Sequence, residues 1–263
     1  MRVWQAIVLG AVQGLTEFLP VSSSGHLILF QRWLDFDADG GLLFDVFLHL
    51  GTLIPVAAVF GKSIKRLFIK PYDTLRYLII ASIPAAVTGF LLQDKIEVFF
   101  YGNDLLSAVL LSSASLVTAA ELIFAQKISE KNEKSLPLSL KSSIIMGVFQ
   151  GAAIIPGVSR SGTVITGGAV AGLSREKNAE FAFLMSIPII LGAAVSSGAK
   201  AAINGANVSV LPLLFGIASS AVTGYIAIKF MLKTVLKGNY IGFSAYLICL
   251  AALSVLTKVL WGV

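Results

Sequence analysis

Two short polar clusters hold the side chains able to do chemistry. In the first, Gln13 and Glu17 stand four residues apart and so share one face of a helix. A carboxylate placed there can hold a divalent cation or take a proton. Beyond Pro20, Ser22, Ser23 and Ser24 run into Gly25 and His26. The three-residue spacing of Ser23 and His26 suits a hydroxyl nucleophile working with an imidazole. The second cluster, PGVSRSGT (156–163), contains Ser159, Arg160, Ser161, Gly162 and Thr163. Serines just ahead of an apolar run are helix N-caps, and the unpaired N–H groups and partial positive charge of a helix N-terminus seat phosphate. Arg160 adds a planar, permanently charged fork matched to phosphate oxygens.

The two clusters are versions of one segment. GAVQG (10–14) returns as GVFQG (147–151), PVSSSGH (20–26) as PGVSRSGT (156–163) with one residue inserted, and IASIPAAVTGF (80–90) as IASSAVTGY (217–225). Gly14 to Gly151, Pro20 to Pro156 and Thr88 to Thr223 are 137, 136 and 135 positions apart. The chain is therefore two copies of one unit, a common origin of transporter-like membrane folds. The copies have specialised. Gln150 matches Gln13, but isoleucines stand opposite Glu17, Thr163 opposite His26, and Arg160 opposite Ser23. Acid and imidazole sit in one copy and guanidinium in the other, which fits a composite catalytic site better than a symmetric conduit.

The elements that must position these clusters belong to a membrane. Charged residues are 13% of the 263, against roughly 25% in soluble domains, and mean hydropathy is +0.87. Apolar stretches long enough to cross a bilayer occur at 42–60, 75–92, 105–124, 181–199, 210–228 and 241–260. Segments 1–34 and 139–173 instead hold pairs of shorter apolar pieces broken at Pro20 and Pro156. Such pieces suit re-entrant helix hairpins whose tips stop inside the membrane, where irregular backbone must be buried or line a polar cavity. The fold expected is an all-α polytopic membrane protein of two inverted-topology repeats, each with one re-entrant hairpin and three full transmembrane spans. Repeat one covers 1–125, a cytoplasmic loop 126–138, and repeat two 139–263, within a single integral membrane domain. Lysine and arginine set the orientation: 61–73, 126–141 and 229–239 are basic and read as cytoplasmic, whereas 93–104 is net acidic and reads as outside. By that assignment the two hairpins enter from opposite faces and their tips meet near the midplane.

Other features carry less. The net charge of +6 lies in short loops and reports orientation, so no nucleic-acid partner is expected. The first apolar run carries Gln13 and Glu17 and does not read as a cleaved leader. Cys249, the single cysteine, excludes an intramolecular disulfide. Ser112, Ser113, Ser115, Ser196 and Ser197 read as small residues at helix contacts. Asp45, His49 and Glu121 lie near span ends and read as interfacial, and Asp35, Asp37 and Asp39 as a solvated outer loop. SREKNAEF (174–181) reads as a capped helix start. A buried Glu17–Arg160 pair that merely staples the halves is the structural alternative to a site, although intramembrane ionisable groups are functional by default.

QGLTEFLPVSSSGH and PGVSRSG closely resemble the undecaprenyl-diphosphatase family, known also for bacitracin resistance, and the similarity runs the length of the chain. The resemblance implies hydrolysis of undecaprenyl diphosphate to the monophosphate and inorganic phosphate, in recycling the lipid carrier of cell-wall synthesis, with a divalent metal, Mg²⁺ or Ca²⁺. The family's acidic motif maps onto Gln13 and Glu17 as metal ligands, its serine and histidine onto Ser23 and His26, and its arginine onto Arg160. Glu17, Ser23, His26 and Arg160 are thus the expected catalytic set. Ser22, Ser24, Gly25, Ser159, Ser161, Gly162 and Thr163 are expected to bind the diphosphate. Two positions depart from the family pattern: Gln13, often glutamate, and Val164, where a threonine is usual. Attack by Ser23 and direct attack by water both remain open, as does a polyprenyl-lipid transporter or flippase as the competing class. The expected partners are the isoprenoid diphosphate and membrane lipid, with a homo-oligomer open. The expected location is the bacterial inner membrane, multi-pass, with the site facing the outer side.

Overall fold

Ten helices account for the regular structure of a computed structural model that describes residues 2–36, 41–100, 105–131, 136–204 and 209–261. Asp37 and Asp39, residues 101–104 and 132–135, and the Ser197 side chain lie outside what is described. Helices α3 (Gly41–Leu67), α4 (Asp73–Phe100), α5 (Leu105–Lys131), α8 (Arg175–Asn204), α9 (Val210–Lys237) and α10 (Ile241–Trp261) each contain a stretch long and apolar enough to span a bilayer. They coincide with the six apolar stretches of the sequence and extend past most of them. The chain is an all-helical, multi-pass membrane protein. Its helices satisfy the backbone internally, as a medium without water demands.

The remaining four helices are short. α1 (Val3–Phe18) has 16 residues, α2 (Ser23–Trp33) 11, α6 (Leu140–Ala152) 13 and α7 (Arg160–Val170) 11. At 1.5 Å per residue the longest reaches about 24 Å, short of a hydrocarbon core of about 30 Å. They form two helix–turn–helix pairs, α1–α2 and α6–α7, broken where the sequence places Pro20 and Pro156.

These pairs pack by exchange. α1 lies along α9 and α6 along α4, so each short hairpin leans on the middle long helix of the other half. Glycines make the approach close. A Cβ on Gly147 would stand 2.7 Å from the Ala81 carbonyl oxygen, and one on Gly10 would overlap the Gly216 carbonyl. Thr88 donates to the Gly151 carbonyl at 3.1 Å, and a Cβ on Gly14 would collide with Thr223, the matching threonine of the other copy. Duplicated sequence has become duplicated packing. α5 and α10, the last long helix of each half, also pair; there Ser112 donates to the Ala251 carbonyl at 2.8 Å and lies 2.5 Å from Ser254. Ser113 and Ser115 each donate to a carbonyl four residues back; Ser112 and Ser115 are buried and Ser113 is exposed. Ser174 caps α8 through the Lys177 N–H.

Candidate active site

The two hairpin tips meet. Ser161 Oγ of the second donates to the Leu19 carbonyl of the first at 2.9 Å. A Cβ on Gly25 would come 3.5 Å from the Gly157 Cα, and one on Gly162 3.1 Å from the Pro20 Cβ. The tips have the same internal bonding. Ser22 accepts from the Gly25 N–H and Ser159 from the Gly162 N–H, both at 3.3 Å. Ser22 and Ser24 hydroxyls lie 3.4 Å apart, and Ser159 and Ser161 3.2 Å. Two helix N-termini, those of α2 and α7, therefore come together at capped serines.

Glu17 is the hub. It is 5% exposed, and Gln13 on the same face of α1 is fully buried. Gln13 Nε2 donates to Glu17 Oε2 at 2.8 Å and Ser23 Oγ donates to the same oxygen at 2.7 Å. Arg160 Nη2 donates to Glu17 Oε1 in an ion pair across the halves. His49 Nε2 stands 3.5 Å from Glu17 Oε2. A carboxylate this dry persists only with such partners. Two buried polar atoms of the cluster have none: Gln13 Oε1, an acceptor, and Arg160 Nη1, a donor. In a native interior such atoms mark a binding partner or water.

Glu17, Ser23, Ser24, Ser159 and Arg160 line one cavity of about 230 Å³, with Asp45 and His49 opposite and Ile154, Ile189 and Ile190 as apolar wall. Of the expected residues, Ser22, Gly25, Ser161, Gly162 and Thr163 form the tips behind this lining, and Gln13 stands behind Glu17. His26 is placed elsewhere. It is 3% exposed and its Nε2 lies 2.6 Å from the Tyr246 hydroxyl of α10, with the rings stacked at 5.7 Å. The structure does not bring it together with the Ser23 hydroxyl, which is turned to Glu17.

The imidazole that faces Glu17 is His49. Asp45 and His49, read from sequence as interfacial, instead line the cavity. Asp45 is buried and accepts from Gln31 Nε2 at 2.7 Å, while His49 Nδ1 donates to the Asp45 carbonyl at 2.7 Å. Their four-residue spacing, the same as that of Gln13 and Glu17, was the available signal. Glu121 is not a free interfacial acid either: it accepts from Thr163 Oγ1 at 2.6 Å. Ser22 at the first tip has φ 67° and ψ 94°, a conformation that costs a non-glycine residue of order 1–3 kcal/mol.

A second, mostly apolar cavity of about 660 Å³ lies between α1, α9 and α10, lined by Leu15, Leu19, Phe230, Phe243 and Tyr246 among others. Thr16 borders both cavities.

Comparison with known proteins places the sequence in a family. The family model described as bacitracin resistance protein BacA matches residues 6–253. The chain is similar to the undecaprenyl-diphosphatase of Moorella thermoacetica, at 44% identity over 97% of each chain. It is similar to that of Carboxydothermus hydrogenoformans at 42% over 94% of each, and to that of Methanobrevibacter smithii at 40% over 94% of each. The chain belongs to the bacitracin resistance protein BacA family.

Proposed function

We propose that the chain is an undecaprenyl-diphosphatase, hydrolysing undecaprenyl diphosphate to undecaprenyl phosphate and inorganic phosphate. The observation that carries this reading is the unpartnered Arg160 Nη1, in a side chain that lines a cavity where two helix N-termini converge. That combination is a seat for a phosphate anion. The apolar cavity meeting it at Thr16 gives the prenyl chain room beside the head. The specialisation of the two copies favours catalysis over transport of the same lipid.

In the proposed mechanism Arg160 and the N–H groups at the two tips hold the diphosphate. Ser23, whose hydroxyl proton already points at Glu17, attacks the terminal phosphorus while Glu17 takes that proton. A serine–phosphorus bond forms, the bridging P–O bond breaks, and undecaprenyl phosphate leaves on the bridging oxygen. Water, deprotonated by His49, then attacks the phosphorus; the bond from Ser23 oxygen to phosphorus breaks, inorganic phosphate leaves, and Glu17 returns its proton to the Ser23 oxygen.

The donor atoms fit a hard divalent cation, Mg²⁺ or Ca²⁺. Gln13 Oε1 is an acceptor with no donor and adjoins the Glu17 carboxylate, and these two residues would hold it. When bound, the cation neutralises charge on the diphosphate. No group of three His, Cys, Asp or Glu suited to a metal exists among the described residues.

The two halves, 1–125 and 139–263, are proposed as inverted repeats and the short hairpins as re-entrant. The exchanged packing of α1 with α9 and α6 with α4 supports this, as does the odd number of long helices in each half. The inner membrane is the proposed location, with the site open to the outer side. In α3, Asp45 and His49 lie in the N-terminal half, whereas Lys62, Lys65 and Arg66 mark the opposite, cytoplasmic end.

The test is phosphate release from detergent-solubilised undecaprenyl diphosphate with Mg²⁺ or Ca²⁺ and with EDTA. The reading requires metal-dependent release. Absence of release by the wild type with either metal sinks it.

A further inference from the structure

We infer that Tyr246 is a positioning residue for this reaction, and that His26 is the link through which it acts rather than a carrier of protons. The inference rests on the diphosphatase reading.

Both ring nitrogens of His26 are committed. Nδ1 lies 2.7 Å from the Ser22 carbonyl oxygen, which can only accept, so Nδ1 carries a proton there. In the neutral ring Nε2 is then a lone pair, and the Tyr246 hydroxyl at 2.6 Å donates to it. In the charged ring the roles at Nε2 reverse and the contact stays filled. Neither form leaves a nitrogen for Ser23 or for water, and His26 is absent from the lining of the catalytic cavity.

What the chain of contacts does is hold Ser22. That residue keeps a positive φ of 67°, its hydroxyl caps α2, and the next residue is Ser23, whose hydroxyl meets Glu17. The Ser22 carbonyl also accepts the His26 backbone N–H at 3.2 Å, so loss of the imidazole bond weakens its hold without severing it, and lets the strained tip relax and carry Ser23 with it. A shift of about 1 Å at a nucleophile costs on the order of a hundredfold in rate.

The second copy makes the same kind of tether with different chemistry. Thr163, the counterpart of His26, bonds through its side chain to Glu121 of α5, the counterpart of α10. Each tip is thus tied at its fourth residue to the last long helix of the opposite half. A threonine does no general acid–base work in that position; a tether is the function the two copies share.

The experiment compares phosphate release by wild type, His26→Asn, His26→Gln, Tyr246→Phe and the His26→Asn/Tyr246→Phe double variant, each purified in detergent and matched in melting temperature. Asparagine puts its N–H close to the place of Nδ1 and glutamine does not. The expected results are a kcat for His26→Asn within about tenfold of wild type with the pH profile unchanged in shape, and a further loss of about tenfold in His26→Gln. Tyr246→Phe lowers kcat about fivefold or more in the wild type with KM nearly unchanged, and has no effect in the His26→Asn background. His26→Asn as inactive as His26→Gln, with one limb of the pH profile gone, makes His26 a proton carrier and overturns the inference. So does a wild-type kcat in Tyr246→Phe, a variant lacking one oxygen that carries the test alone should a His26 variant fail to fold. Absent wild-type turnover, the diphosphatase reading falls and the positioning role with it.

Discussion

Glu17 and Arg160, 143 positions apart in sequence, form an ion pair that joins the two halves of the chain at the meeting of the hairpin tips. The Glu17 side chain is 3% exposed and that of Arg160 19%. The pair therefore sits at the edge of the dry interior, with Arg160 Nη2 committed and Nη1 without a partner.

Removing one member of this pair leaves a buried charge uncompensated. Glu17→Ala should destabilise the protein by about 3 kcal/mol or more, and Glu17→Gln/Arg160→Gln should recover part of that loss. Thermal unfolding in detergent measures both. Activity is expected to be lost in all of them, and Arg160→Lys should fall by at least about a hundredfold, because a point charge cannot hold Glu17 and a phosphate oxygen together. Equal stability of the single and double variants would show that the pair is not the joint between halves.

The exchanged packing predicts intolerance at one glycine and tolerance at another. Gly147→Val places a branched side chain against the Ala81 backbone, and overpacking of this kind costs about 1–3 kcal/mol. Gly61→Ala, with nothing within 4 Å of the added carbon, should leave the melting temperature unchanged. A stable Gly147→Val would contradict the close approach of α6 and α4.

His49 faces the cavity and Glu17, so His49→Ala should lower kcat by about 10- to 100-fold. Its Nδ1 is anchored on the Asp45 carbonyl, a backbone group, so Asp45→Asn should leave His49 in place and cost less. Steady-state phosphate release separates the two, and a wild-type rate for His49→Ala would remove it from the site.

Gln13→Glu restores a second carboxylate beside Glu17. The concentration of Mg²⁺ giving half-maximal activity should fall by about tenfold, since charge count tunes affinity in oxygen sites. Metal titration of activity after EDTA treatment reads this; an unchanged midpoint would place the cation away from Gln13.

Much of this is legible in the sequence. Pro20 and Pro156, the duplicated glycine–glutamine segments and the lengths of the apolar runs marked six long helices and two broken pairs, because chain length against bilayer thickness is a hard constraint. Arg160 and Glu17 stood out because charges are costly in such a chain. The inward facing of Asp45 and His49 was harder to see. Asp45, His49 and Thr52 share one face of α3 by their spacing, but near the end of an apolar run such a face suits the membrane interface as well as a cavity. The fate of His26 was not legible locally, since its partner Tyr246 lies 220 positions away. Spacing to Ser23 suggested cooperation, whereas the first turn of α2 turns the two side chains to different neighbours.

The central claim, a diphosphatase built from Glu17 and Ser23 of one half and Arg160 of the other, is tested most directly by trapping the reaction. Rapid acid quench during turnover of undecaprenyl diphosphate, followed by mass spectrometry of the chain, should find phosphate on Ser23 in the wild type and none in Arg160→Ala. Vigorous wild-type phosphate release with no label on Ser23, or undiminished release by Arg160→Ala, would contradict it.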